Sequence, residues 1–282
     1  MSIDLKDAVV LITGASRGIG VEMAVALAAE GAKLALAARS ADKLDAVREQ
    51  LVASGATAIA IPTDVSDDEA LQRLVDQTET ELGPIDVLIN NAGVESVDYL
   101  EQVSADEVRK VLDINVVAVI RLTQMVLPGM KKRNRGHIVN IASFAGLVPT
   151  PFGEVYSASK HAVVGFSKSL RVAMKLDDLD IGVSMICPGY ISKTGMYWDM
   201  KLKDGVSAPR SMGTTPPRVV TQAVLSCIRY NQGDVILNPG LPRTMVLLTL
   251  AFPRVATWVG LKLGMWDFQH QAARKRSHEN SV

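Results

Sequence analysis

The 282-residue sequence contains only two cysteines, Cys187 and Cys227, and four scattered histidines. Two unpatterned thiols cannot make a disulfide framework, and histidines this dispersed give no metal-ligand spacing, so no structural metal is expected and a reducing, cytoplasmic setting fits. Net charge is missing too. Thirty Lys and Arg offset thirty Asp and Glu, and the one tight basic cluster, Arg274, Lys275 and Arg276, stands near the end. The footprint of a nucleic-acid binder is therefore absent. No Pro, Gly or Ser-rich linker splits the chain. The first residues enter a strand pattern directly, without the charged and long apolar regions of a secretory signal, so none is expected.

Short runs rich in Val, Ile, Leu and Ala alternate with segments of helical period, the pattern of βαβ units building a parallel sheet. Strands are expected at 8–13, 33–38, 57–63, 85–90, 136–142, 182–187 and 234–237. Their lack of polar alternation predicts helices on both faces of the sheet. The expected fold is α/β: a single Rossmann-type, doubly wound sheet of about seven strands over 1–240, with an apolar helical extension over 241–282. Segment 40–54 carries Leu44, Val47 and Leu51 on one helical face after a Ser40 cap, and Ser66 with Glu69 reads as a capping box for the next helix. Segment 190–217 shows no clear period and several Gly and Pro, so a long mobile loop acting as a substrate lid is expected there.

After the first strand comes Thr13-Gly14-Ala15-Ser16-Arg17-Gly18-Ile19-Gly20, followed by a helical pattern with Met23, Ala24 and Leu27. Glycines allow a pyrophosphate close to backbone, and the free amides at a helix start favour its charge. The glycines stand at 14, 18 and 20, a different spacing from G-x-G-x-x-G. At the end of the second strand, where an acidic residue would meet the ribose of NAD, the sequence has Ala38-Arg39-Ser40. Arg39 and Arg17 could flank a 2′-phosphate with their guanidinium forks, which points to NADP(H), with NAD(H) as the lesser choice. The plain alternative is a pair of solvated surface arginines.

Ser143 follows the fifth strand, and Tyr156 and Lys160 lie four apart, on one face of a helix. A phenol titrates near 10, too high for neutral-pH base chemistry, but a neighbouring ammonium favours the phenolate. Tyr156 could then exchange a proton with a substrate oxygen that Ser143 also holds. Tyr-x-x-x-Lys alone is commonly just an amphipathic surface pair; its place after a dinucleotide turn gives it weight.

The chain at this point resembles the short-chain dehydrogenase/reductase family over roughly 6–195. The resemblance is carried by the glycine turn, Asn90-Asn91-Ala92-Gly93, Asn115, Asn140-Ile141-Ala142-Ser143, Tyr156-Ser157-Ala158-Ser159-Lys160 and Pro188-Gly189. It implies a tetrad of Asn115, Ser143, Tyr156 and Lys160, with Tyr156 as acid/base, Lys160 also on the nicotinamide ribose, and Asn115 holding a water that links Lys160 to solvent. It further implies cofactor contacts from Gly14, Ser16, Arg17, Gly18, Ile19 and Gly20, from Arg39 and Ser40, from Asp64 and Val65 near the adenine, from Asn91, Ala92 and Gly93, and from Pro188, Gly189, Ile191 and Thr194 near the carboxamide. Read without the resemblance, Asn115 could be a buried structural amide and Asp64 only a turn former.

Beyond Gly240, the stretches 244–252 and 255–266 carry one charge, Lys262, and are separated by Pro253 and Arg254. A membrane span needs about 20 apolar residues, and the interruption comes too early for one. The extension is expected to cover an apolar pocket or a subunit interface, to lie on a membrane backed by Arg274 to Arg276, or to be an ordinary core helix. The expected activity is ketone and secondary-alcohol interconversion by NADP(H)-dependent hydride transfer on a lipophilic substrate, steroid, retinoid-like or long-chain acyl, in a homodimer or homotetramer. Reduction of a carrier-bound 3-oxoacyl chain is the second enzymatic reading, and a non-catalytic NADPH-binding regulator the third. The regulator has no chemical need for Tyr156 and Lys160 beside Ser143.

Overall fold

The computed structural model describes residues 3–209, 212–240 and 242–279. In chain order the elements are β1 (Val9–Thr13), α1 (Ile19–Ala29), β2 (Lys33–Ala38), α2 (Ala41–Ala53), β3 (Ala58–Pro62), α3 (Asp68–Leu82) and β4 (Val87–Asn90). They continue with α4 (Ala105–Leu112), α5 (Ala118–Arg133), β5 (Gly136–Ile141), α6 (Glu154–Leu176), β6 (Ile181–Pro188), α7 (Gly195–Asp204), α8 (Pro217–Tyr230) and β7 (Asp234–Leu237). Among the described residues β7 is followed by α9 (Pro242–Ala251), α10 (Pro253–Lys262) and α11 (Asp267–Glu279). The strands form one parallel sheet in the order β3-β2-β1-β4-β5-β6-β7.

Alternation along each strand assigns its side chains to two cores. Val10 and Ile12 point to the face covered by α1, α2 and α8, where Leu27, Leu44, Leu51 and Val224 pack. Leu11 points to the opposite face, against Leu71 and Leu74 of α3, Leu122 and Val126 of α5, and Met174 of α6. Each such side chain contributes about 1.5–3 kcal/mol on full burial, which is why both faces of a sheet this apolar must be covered. The run Ala105–Arg133 is long and apolar enough to cross a membrane by length and composition. Its apolar face is spent on the sheet, through Leu122, Val126 and Met130.

Strand order reverses between β1 and β4, so the connections leaving their carboxyl ends diverge and open a crevice, the usual ligand position in such sheets.

Two local expectations differ from the structure. The cap of α3 is Asp67, whose carboxylate accepts from the amides of Glu69 and Ala70, while Ser66 donates to Asp64. A carboxylate at this position satisfies two free amides of the first turn, leaving no role for a Ser66 capping box. Segment 190–217 is also more ordered than its sequence suggests: it holds α7, bounded by Gly195 and Gly205 at positive φ, and Ile191 bridges Thr215. Tyr197 and Met200, three apart, bury one face of α7 against Phe268 and Ala272 of α11.

Candidate active site

The crevice holds a cavity of about 740 Å³ that runs from the turn after β1 to the side chains after β5 and β6. Its first wall is built by backbone. The Thr13 hydroxyl accepts from the amides of Asn91 and Ala92, both at 3.0 Å, and the Asn91 side-chain amide donates to the carbonyls of Thr13 and Gly14. These bonds lock the β1 and β4 connections together across the switch point. Gly20 must lack a side chain, because a Cβ would stand 2.1 Å from the Gly14 carbonyl oxygen. The turn therefore closes tightly enough to aim the start of α1 into the cavity. Gly18 caps α1 with no side-chain bond, so the first amides of the helix stay available to an anionic group.

Gly14, Ser16, Arg17, Gly18 and Ile19 line this end, with Asn91, Ala92 and Gly93 opposite. Gly20 sits inside the turn rather than on the cavity. Arg39 and Ser40 lie at the end of β2 and are exposed, beside Asp64 and Val65. Asp64 combines both of its sequence readings. It accepts from the amide and hydroxyl of Ser66, forming a turn, and it also faces the cavity; those two bonds, reinforced by the charge of Arg39, hold its carboxyl below the usual range. Arg17, on the cavity wall, is ion-paired through its guanidinium with Asp199 of α7. Lys43, in the first turn of α2, stands on the cavity beside Arg39 and was not singled out from sequence.

At the other end, Ser143 is the cap of a short turn, Phe144–Gly146, and its Oγ accepts from the Ala145 amide at 3.2 Å. Ser143 also hydrogen-bonds Tyr156, whose ring reaches the cavity from the first turns of α6. Lys160, one turn further, is buried and donates to the Ile141 carbonyl at 3.0 Å, with its Nζ 5.8 Å from the centre of the Tyr156 ring. Burial decides both titrations. It raises the Tyr156 hydroxyl above its usual range despite the bond from Ser143, and it brings the Lys160 ammonium down to about 8. In the free site burial outweighs the lowering of the phenol expected from Lys160, whose ammonium donates to the Ile141 carbonyl and stands over the ring. The phenol is held protonated, the form that can give a proton to a carbonyl oxygen.

Asn115 occupies a π-helical turn, Asp113–Val117, between α4 and α5 and is fully buried. Its carbonyl accepts from the Val94 amide, and its NH₂ donates to the Val94 carbonyl and to Ser159 Oγ, all within 2.9 Å. It does not reach the cavity; it fastens the segment after β4 to α6 and is a positioning residue here. Pro188, Gly189 and Ile191 line the cavity after β6, whereas Thr194 caps α7, near Gly18.

The remaining wall comes from 190–217 and the C-terminal helices. Tyr190 packs against Tyr197 and Phe268, with centroids 5.0 and 5.4 Å away, and its hydroxyl accepts from Gln269 at 2.7 Å. Met245 and Leu248 of α9, Val259 of α10, Met265 and Phe268 add an apolar lining. Among the described residues no cluster of His, Cys, Asp and Glu could hold a metal ion. The cavity thus joins a backbone cradle for a pyrophosphate, exposed cations at the expected ribose end, a Ser-Tyr-Lys group and an apolar chamber. Those features fit a nicotinamide dinucleotide.

The short chain dehydrogenase family profile matches residues 8–204. The ketoacyl reductase HetN of Nostoc sp. is 37% identical over 97% of this chain and 95% of its own. A short-chain dehydrogenase/reductase from Burkholderia phymatum, solved with NAD, superposes with a TM-score of 0.80 at 28% identity, covering 90% of this chain and 96% of that one. The actinorhodin polyketide ketoreductase, solved with NADPH, gives a TM-score of 0.75 at 30% identity, covering 84% and 98%.

Proposed function

Because the chain belongs to the short-chain dehydrogenase/reductase family, we propose that it is an NADP(H)-dependent reductase of ketones carried on lipophilic substrates, long-chain acyl compounds among them. The observation that carries the reading is one continuous cavity with the glycine turn and Arg39 at one end and the hydrogen-bonded Ser143 and Tyr156 at the other. The bound nicotinamide would supply the hydride to the carbonyl carbon. Tyr156 then gives its phenolic proton to the oxygen that gains charge, and Ser143 holds that oxygen through its hydroxyl. Lys160, buried within reach of the ring, favours the phenolate that remains.

The preference for NADP(H) rests on charge. Arg39, Ser40 and Lys43 line one end of the cavity with no carboxylate from β2, and the guanidinium and ammonium would suit a 2′-phosphate there. Lipophilic substrates are supported by Met245, Leu248, Val259 and Phe268, and an acyl chain by the likeness to a ketoacyl reductase. Side-by-side kinetics with NADPH and NADH test the cofactor. Ala38→Asp with Arg39→Ala should weaken NADPH roughly ten- to a hundredfold relative to NADH, the worth of one charge-assisted hydrogen bond at about 1.5–3 kcal/mol. A wild type that already prefers NADH would refute it.

A further inference from the structure

We propose that the outer face of α9 and α10 is a membrane-contact surface that lays this end of the molecule onto an anionic bilayer. The two helices are two-sided. Met245, Leu248, Ala256 and Val259 turn inward to the cavity, while Leu247, Leu250, Phe252, Val255, Trp258 and Leu261 turn outward. Leu250 is 72% exposed, Leu261 68% and Trp258 62%, against 3% for Phe268 on the inner side. Side chains of this size are left in water singly on most surfaces; a contiguous group marks a contact.

Charge decides which contact. Between Asp234 and Asp267 the sequence has no carboxylate, yet Arg243, Arg254 and Lys262 are exposed there. None of the three forms an ion pair among the described residues. On α10, Arg254, Trp258, Leu261 and Lys262 recur at three- and four-residue spacing and so share one face with the exposed apolar side chains. A second copy docking through a two-fold axis would bring this patch against itself, cation facing cation with no carboxylate to pair. Lipid phosphate and serine headgroups carry the missing sign, and acyl chains take the apolar side chains. Each helix has 10 residues, and Pro253 breaks them apart, so both lie in the interface plane instead of crossing it. The cations differ from those expected from sequence: in α11, Arg276 turns inward and donates to the Val97 carbonyl.

The test is flotation of the full chain with vesicles of phosphatidylcholine alone and of phosphatidylcholine and phosphatidylserine in equal parts. Wild type should float with the serine-containing vesicles. Arg243→Ser, Arg254→Ser and Lys262→Ser together should reduce that partition about a hundredfold, since each cation near an anionic surface is worth roughly a factor of five. Leu250→Ser, Trp258→Ser and Leu261→Ser together should abolish it. Bromine placed on the lipid tails should quench tryptophan emission in wild type but not in Trp258→Phe, a readout that needs no multiple variant to fold. None of the substituted side chains lines the cavity, so NADPH-linked turnover of a soluble ketone should be unchanged; its failure would count against the proposed function and not against this surface. Wild type that stays with the protein fraction, or a serine variant that floats as well as wild type, would overturn the proposal. So would a dimer by sedimentation that the three apolar-to-serine changes convert to monomer without any lipid binding.

Discussion

Replacing Gly146 by alanine puts one methyl group between the two parts of the site that must stay in register. A Cβ at Gly146 would stand 2.7 Å from the Lys160 carbonyl oxygen and 2.8 Å from its carbonyl carbon, whereas ordinary contact begins at 3.4 Å. Both atoms belong to the backbone of α6, which cannot swing aside as a side chain could. The turn Phe144–Gly146 must instead retreat by several tenths of an ångström. That turn carries Ser143, whose carbonyl accepts from the Gly146 amide at 2.9 Å, and it is tied to α6 by Ser157, which donates to the Ala145 carbonyl at 2.8 Å. A retreat therefore pulls the Ser143 hydroxyl away from Tyr156. A displacement approaching 1 Å can cost up to about a hundredfold in rate, and overpacking of this kind costs about 1–3 kcal/mol in stability.

Gly146→Ala is expected to lower kcat for carbonyl reduction roughly ten- to a hundredfold and to reduce the Tm by a few degrees. NADPH affinity, set chiefly by the turn after β1, should hold within about twofold. Stopped-flow NADPH oxidation with fluorescence titration of the cofactor separates the two. Gly165→Ala is the control, because nothing lies within 4 Å of its Cβ position on the same helix; it should leave kcat alone. A folded Gly146→Ala enzyme with wild-type kcat would refute the claim that this contact sets the Ser143 to Tyr156 geometry.

Two further outcomes follow from charge and burial. Lys160 loses its proton near 8 in the folded site, so kcat/KM for reduction should fall as pH rises through about 8, where the ammonium that favours the Tyr156 phenolate formed on proton transfer disappears; a profile flat from neutrality to well above that value would contradict it. His137 is buried on β5 against Ser184, and burial lowers its imidazole to about 3. The unfolded chain takes that proton near 6.5, so stability is full above that value and declines below it by up to about 1.4 kcal/mol per pH unit. Urea midpoints at about pH 7.5 and about pH 5.5 should drop more for wild type than for His137→Asn, and equal drops would remove His137 from the acid response.

The strands were legible because a parallel sheet buried on both faces leaves almost no polar residue inside runs such as Val9–Thr13 or Ile181–Pro188. Boundaries moved where turns intruded: β4 starts at Val87 because Asp86 is spent on its neighbours, accepting from the Val9 amide. α7 was hidden because Gly195 and Gly205 bracket it and its buried face is only Tyr197 and Met200. The β1 turn and the Tyr156 to Lys160 spacing are local and could be read directly. Partnerships across the chain could not. Arg17 meets Asp199 and Tyr190 meets Gln269 through folds of the chain that no spacing encodes. Lys43 carried no signal beyond following Arg39 by four residues, and Asn115 sits in a π-helical turn that no spacing announces. Burial, which a sequence pattern does not quantify, outweighs in the free site the lowering of the Tyr156 hydroxyl expected from Lys160.

The central claim is that Tyr156 gives a proton to a ketone oxygen while NADPH gives the hydride. It is tested most directly by following NADPH absorbance and alcohol formation together over a panel of lipophilic ketones, 3-oxoacyl esters included, with wild type and Tyr156→Phe at matched concentration. Wild type should consume NADPH and form alcohol in equal amounts on at least one member. Tyr156→Phe should bind NADPH normally and turn that substrate over about 10²- to 10⁴-fold more slowly, the range for a positioned acid. A substrate reduced equally well by both proteins would contradict the account.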